Sequence, residues 1–148
     1  MPANIEQSRR ATRPKPVARK SPLKHHILLA DDDSEMRSML ALALMHEGYN
    51  VIECCNGEEL SLCLKESNTQ CTERVDLVIS DIRMPGMSGL GVLATHGQKP
   101  KCPPMILMTA FGDDKARHEA TRMGAVAFFD KPFELDELLH KVREITPP

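Results

Sequence analysis

A chain of 148 residues, 41% hydrophobic and 27% charged, is long enough to bury about two-thirds of the surface its unfolded form exposes, so it needs no disulfide or metal staple. No apolar run approaches the roughly 20 residues of a membrane span, and the N-terminus lacks the apolar middle of a secretory signal; membrane and secreted classes are set aside and a cytoplasmic location is expected. The net charge of −2 hides a division, because residues 1–24 hold seven basic side chains against Glu6, a local charge of +6, and the rest of the chain carries −8.

Residues 1–24 contain Pro2, Pro14, Pro16 and Pro22 and few large apolar side chains. Burial there cannot offset the entropy of ordering, so a disordered basic arm is expected. Such an arm could meet nucleic acid, an acidic partner or its own acidic body, but charge alone specifies little and a solvated extension is the simpler expectation. Folded sequence begins at His26. Ile27, Leu28, Leu29 and Ala30 form an apolar run too short for a helix, followed at once by Asp31, Asp32 and Asp33. From Ser34, apolar residues at Met36, Met39, Leu40, Ala43 and Leu44 predict a first helix that Gly48 stops. Val51 and Ile52 mark a second strand, Gly57 to Leu64 a second helix, and the polar stretch 66–74 a loop.

Leu77, Val78 and Ile79 then deliver Asp81 to the exit of a third strand, with Pro85 and Gly86 in the turn and Ser88 placed to cap a third helix. Gly91 inside that helix should weaken it by about 1 kcal/mol relative to Ala. Met105 to Ala110 reads as a fourth strand, Asp113 to Met123 as a fourth helix, and Val126 to Phe129 as a fifth strand. Leu135, Leu138, Leu139 and Val142 give one face of a last helix. The five cysteines (54, 55, 63, 71 and 102) form no C-x-x-C pair and lack histidines at zinc spacing, so they are read as reduced thiols. The six histidines are scattered and supply no catalytic constellation.

Short apolar strands alternating with amphipathic helices predict an α/β domain, a doubly wound parallel five-stranded sheet covered on both faces. Ligands of such sheets bind beyond the carboxyl ends of the strands. The polar residues at those ends are Asp31 and Asp32, Asp81, Thr109 and Lys131. Three carboxylates brought together repel, and a cation is the simplest remedy. Oxygen-only donors suit Mg²⁺, with Mn²⁺ as the alternative. A lysine and a hydroxyl beside that cation suit a phosphoryl group, which makes Asp81 the natural nucleophile. Each residue alone has a plainer reading, as a helix cap, a strand threonine or a solvated loop lysine; their joint placement carries the argument.

The segments ILLADDDSEMR, LVISDIRMPGMSG, MILMTAFGD and AFFDKPF, lying between His25 and Glu144, resemble the receiver domain of two-component response regulators, the nitrogen-regulator-like group above all. The resemblance implies a (βα)₅ flavodoxin-like fold over residues 25–146 that accepts phosphate from a histidine kinase or a histidine phosphotransfer protein. It implies Asp81 as phosphoacceptor, Asp31 and Asp32 as the acid pair for the metal with the backbone carbonyl of Arg83, and Thr109 and Lys131 on the phosphoryl oxygens. Asp33 is left as an extra charge. Lys131–Pro132 matches a peptide usually cis in the family, and Phe128 matches the aromatic switch position. The switching face would be the fourth helix, fifth strand and fifth helix, where a downstream protein target docks; nucleic acid and membrane are not expected partners, and turnover of a substrate is not expected.

Two departures stand out. Phe128 has no hydroxyl where the family often has Tyr, and the loop around Asn68 to Arg74 is longer than usual. Arg83 and Phe111, two residues after Asp81 and Thr109, are bulky and unsuited to orienting water, so slow loss of phosphate is expected. The chief rival from another class, a haloacid-dehalogenase-type phosphatase, would need D-x-D-x-T or V, but the frame starting at Asp31 ends in Glu35. A non-phosphorylated adaptor binding nucleic acid through the basic arm is the third reading, and it demands salt-dependent binding. No output domain is expected within these 148 residues.

Overall fold

In the computed structural model the described residues are 24–70, 74–110 and 113–148, with only the backbone described for 66–70. The expected arm over residues 1–24 lies outside them except for Lys24, as does Phe111. Strands β1 (His26–Ala30), β2 (Asn50–Cys54), β3 (Leu77–Asp81), β4 (Met105–Ala110) and β5 (Ala127–Lys131) alternate with helices α1 (Ser34–His46), α2 (Gly57–Gln70), α3 (Gly89–His96), α4 (Asp114–Arg122) and α5 (Leu135–Ile145). All strand pairings are parallel, in the order β2-β1-β3-β4-β5.

The strands read as unbroken apolar runs because both faces of the sheet are covered. Side chains alternate between faces, so Leu28, Val78 and Leu107 pack with Leu60 and Leu64 of α2 and Val92 and Leu93 of α3. Ile27, Leu29, Leu77, Ile79, Ile106 and Met108 pack on the other face with Leu40 and Leu44 of α1 and Leu138 and Val142 of α5. Tyr49, just before β2, is buried, and its hydroxyl donates to the carbonyl of Thr146, which follows α5.

Two expectations need correction. The stretch from residue 66 to 70, expected as loop, continues α2 to Gln70. Its residues carry no apolar period to detect, but once a helix is nucleated each further residue adds a hydrogen bond at little cost, and Glu and Gln favour that state. The fifth strand, expected to end at Phe129, runs to Lys131, because its backbone still pairs at Thr109↔Asp130 and Ala110↔Lys131 whatever the side chains.

Caps set the helix starts. Asp33 accepts from the backbone N–H groups of Glu35 and Met36, and Ser88 from that of Gly91. Gly57 opens α2 hard against the loop after β3, where an added Cβ would lie 1.8 Å from the carbonyl oxygen of Met87. At the start of α3, a Cβ on Gly89 would lie 2.5 Å from the carbonyl oxygen of Asp81. Both approaches are between backbones, so only glycine allows them.

The α2–α3 contact contains a buried histidine. His96 is 1% exposed, its Nε2 lies 2.7 Å from Ser61 Oγ, and its Nδ1 has no hydrogen-bond partner among the described residues. Burial, then the charges of Lys99 and Lys65, hold the imidazole below the ordinary histidine range. Protonation would put an orphaned N–H on Nδ1. Because the folded-state value is depressed, the unfolded chain binds the proton more readily: the stabilisation is full above the unfolded value of about 6.5 and is lost as pH falls through the folded one. The loss is expected to reach at most about 1.4 kcal/mol per pH unit between those values. Urea midpoints measured between about pH 7 and 5 should fall less steeply in His96→Gln than in the parent chain.

Candidate functional site

Strand order reverses between β1 and β3, so the crevice of the sheet lies beyond their carboxyl ends. Asp31 follows β1 and is fully buried; Asp81 ends β3 and is 7% exposed; Asp32 is exposed. One oxygen from each of these three carboxylates lies within 4.8 Å of the others. Lys131, at the end of β5, reaches in with Nζ 3.0 Å from Asp81 Oδ2 and 3.2 Å from Asp31 Oδ2. The following Lys131–Pro132 peptide is cis.

The acids are held from behind. Asp31 Oδ1 accepts the backbone N–H of Asp33 at 3.0 Å, and the Asp31 carbonyl accepts from Arg37, itself paired with Glu53 at 3.0 Å. The Asp31 N–H donates to the Cys54 carbonyl at 3.2 Å, which ties the end of β1 to the end of β2. The Arg83 N–H points at Asp81 Oδ1 from 3.4 Å. Burial, aided by the charge of Asp81, raises the Asp31 carboxyl above the usual range against the pull of Asp33 and Lys131. For Lys131, burial works against the charge, but the bonds and charges of Asp81 and Asp31 outweigh it and the ammonium is held more firmly than usual. Three carboxylates still face one ammonium. Their oxygen-only donors and surplus negative charge fit a hard divalent cation, which normally takes one or two carboxylates with oxygens from a phosphoryl group and water.

Thr109 is fully buried on β4, and its hydroxyl lies 3.4 Å from Asp113 Oδ2. The same Oδ2 accepts from the Arg83 guanidinium at 3.0 Å, while Asp113 Oδ1 caps α4 through the Ala116 N–H at 3.2 Å. Asp113 therefore joins the loop after β3, the end of β4 and the start of α4. Phe128 is half-buried on β5, with the Arg117 guanidinium 4.6 Å above its ring, and Arg117 pairs with Asp130.

The structure thus brings Asp31, Asp32, Asp81 and Lys131 together, places Thr109 beside them with its hydroxyl turned to Asp113, and sets Phe128 apart beneath Arg117. Asp113 was legible only as the first residue of a helix; its bonds to Thr109 and Arg83 are tertiary and leave no mark in spacing. Arg117 and Asp130 gave no signal. An open cleft of about 630 Å³ adjoins the acids, lined by Asp32, Arg83, Pro85, Ser88, Asp113 and Lys115 among others.

The model of the response regulator receiver domain matches residues 27–143. Sporulation initiation phosphotransferase F of Bacillus subtilis is 31% identical over 125 residues, 84% of this chain and 96% of that protein. The DNA-binding transcriptional regulator NtrC of Salmonella typhimurium is 37% identical over 111 residues, 75% of this chain but 22% of the regulator, so the chain spans under a quarter of that relative's length. Among solved structures, the response regulator protein TrrA of Thermotoga maritima superposes with a TM-score of 0.67 at 34% identity, covering 82% of this chain and 98% of that one.

Proposed function

The chain belongs to the response regulator receiver domain family, and on that premise we propose that Asp81 accepts a phosphoryl group from the phosphohistidine of a histidine kinase or histidine phosphotransfer protein. The observation that carries this reading is the position of Asp81 at the strand crossover, between two further acids and 3.0 Å from Lys131. The receiver reading extends over 25–146 and follows the nitrogen-regulator-like group, to which the 37% identity with NtrC lends support.

The chemistry asks for little beyond position and charge. An Asp81 carboxylate oxygen attacks phosphorus, the phosphorus–nitrogen bond breaks, and the imidazole keeps the electron pair. Lys131 shares its charge with the incoming phosphoryl oxygens. Asp31, Asp32, Asp81 and the Arg83 carbonyl would hold Mg²⁺ or Mn²⁺, which when bound neutralises the acids and the phosphoryl oxygens. The Thermotoga maritima relative is described in complex with Mg²⁺-BeF, and the acid cluster here has the donors for the same kind of ion.

The phosphoryl group then competes with Asp113 for the Thr109 hydroxyl. In this reading Thr109 turns inward, Asp113 loses a donor, and the ring of Phe128 leaves Arg117 for the space Thr109 vacates. The face of α4, β5 and α5 changes and is read by a protein partner. The protein is a switch, not an enzyme of turnover, and acts in the cytoplasm; among the described residues no helix is long and apolar enough to cross a membrane. Phosphotransfer profiling against the host's histidine kinases tests the reading, with transfer from none of them as the overturning result.

Lifetime of the phosphate follows from Arg83, whose side chain is 73% exposed and anchored on Asp113 beside the site. It offers water no carboxylate or amide to orient it. Autodephosphorylation is expected to be slow, and Arg83→Asn combined with Phe111→Gln to shorten the half-life, as followed by decay of radiolabel; equal decay in both proteins would exclude this role.

A further inference from the structure

Cys54 closes β2 and is 1% exposed, whereas Cys63, in the second turn of α2, is half-buried, and their sulfurs lie 4.0 Å apart. We infer that Cys54 and Cys63 are a redox pair that closes to an intramolecular disulfide when the chain meets a hydroperoxide. The inference is independent of the phosphorylation reading. A disulfide needs its sulfurs at about 2.05 Å, so a pair at 4.0 Å must close by about 2 Å for the bond to form.

The backbone holds the two sulfurs in place. Asn56 Oδ1 accepts the N–H of Glu59 at 2.8 Å, and Glu59 Oε1 accepts the N–H of Cys55 at 2.8 Å, so the short connection from β2 to α2 is braced from both sides. Cys54 belongs to the core cluster that includes Leu60 and Leu64, and Cys63 packs against the same cluster. The neighbouring thiols have other surroundings: Cys55 is exposed with its sulfur 3.7 Å from Asn56 Nδ2, and the Cys102 sulfur lies 3.3 Å from the Pro103 carbonyl.

Cys63 is the member a small oxidant can reach. Its thiolate attacks a peroxide oxygen, the oxygen–oxygen bond breaks, and the leaving oxygen departs with a proton as water or an alcohol. Cys63 is now a sulfenic acid. The Cys54 sulfur attacks that sulfur, the sulfur–oxygen bond breaks, and hydroxide leaves with the Cys54 proton as water. The thiol pair has lost two electrons and the peroxide has gained them. Burial, reinforced by the neighbouring Cys63 sulfur, keeps the Cys54 thiol far above its ordinary range and so protonated at rest, which excludes it as the first attacker; it gives up its proton as it displaces the sulfenic oxygen. In a reducing compartment the bond would be transient and sensing. Because the Cys54 carbonyl accepts the N–H of Asp31, the closed form would tie α2 to the strand end that carries the acids.

The test uses the full chain, reduced, then treated with hydrogen peroxide, alkylated and mapped by proteolysis and mass spectrometry. The expected result is a Cys54–Cys63 cross-linked peptide pair lighter by two hydrogens, loss of two of the five titratable thiols, and recovery of both with dithiothreitol. Cys55→Ser should keep the cross-link and Cys63→Ser should lose it, with circular dichroism confirming that both variants are folded. A link mapped to Cys55, Cys71 or Cys102, or oxidation of Cys63 to sulfinic acid without any link, would overturn the inference.

Discussion

Asp81→Asn should accept no phosphate. An asparagine fills the same volume and still offers Lys131 an oxygen at the position where Nζ now lies 3.0 Å from the carboxylate. The amide is too poor a nucleophile to form an acyl phosphate, so radiolabel from a phosphorylated kinase should drop to the level of a control lacking the regulator. Retention of far-ultraviolet circular dichroism would show that the fold is not the cause. Label persisting on the variant would place the acceptor elsewhere and end the assignment; among the described residues, the other acids that group with Asp81 are Asp31, fully buried, and Asp32.

The second large effect concerns stability. At Gly57, helix propensity alone argues that Ala should stabilise α2 by up to about 1 kcal/mol. Against it, the new Cβ would sit 1.8 Å from the Met87 carbonyl oxygen and 2.6 Å from its carbon, both backbone atoms. Overpacking of this kind costs about 3 kcal/mol, so packing wins by about 2 kcal/mol, and Gly57→Ala is expected to melt about 8 °C below the parent chain. Gly91→Ala is the matched control. Its Cβ would meet side-chain atoms alone, Met87 Cγ at 3.1 Å and Ser88 Oγ at 3.6 Å, so a shift of the Met87 side chain by a few tenths of an ångström leaves the propensity gain in place. Thermal unfolding of the two variants side by side decides it: a Gly57→Ala protein as stable as the parent would mean that the loop after β3 yields easily.

Much of this fold could be read from the chain because parallel strands buried on both faces leave unbroken apolar runs, as in Ile27 to Ala30 and Met105 to Met108. The site was legible for a related reason: a carboxylate or a lysine immediately after such a run has nowhere to go but the carboxyl end of the sheet. What escaped is pairwise and tertiary. The Asp113 carboxylate meets Thr109 and Arg83 only because α4 starts where β4 ends beside the loop after β3. Arg117 finds Phe128 across α4 and β5, an edge pair whose partial exposure blurs both helical and strand periods. The last turns of α2 were missed since polar helix carries no hydrophobic rhythm.

The bond from Tyr49 to Thr146 has a spectroscopic consequence. The chain has one tyrosine and no tryptophan, so its intrinsic ultraviolet emission comes mainly from a single buried ring. That ring sits at the amino end of β2, opposite the strand ends that carry the acids, and is fastened to the carbonyl just past α5. Emission from the unlabelled protein therefore reports whether α5 is docked. Fluorescence melts will follow release of that helix, and binding at the acid cluster is better followed through a probe placed near Arg83.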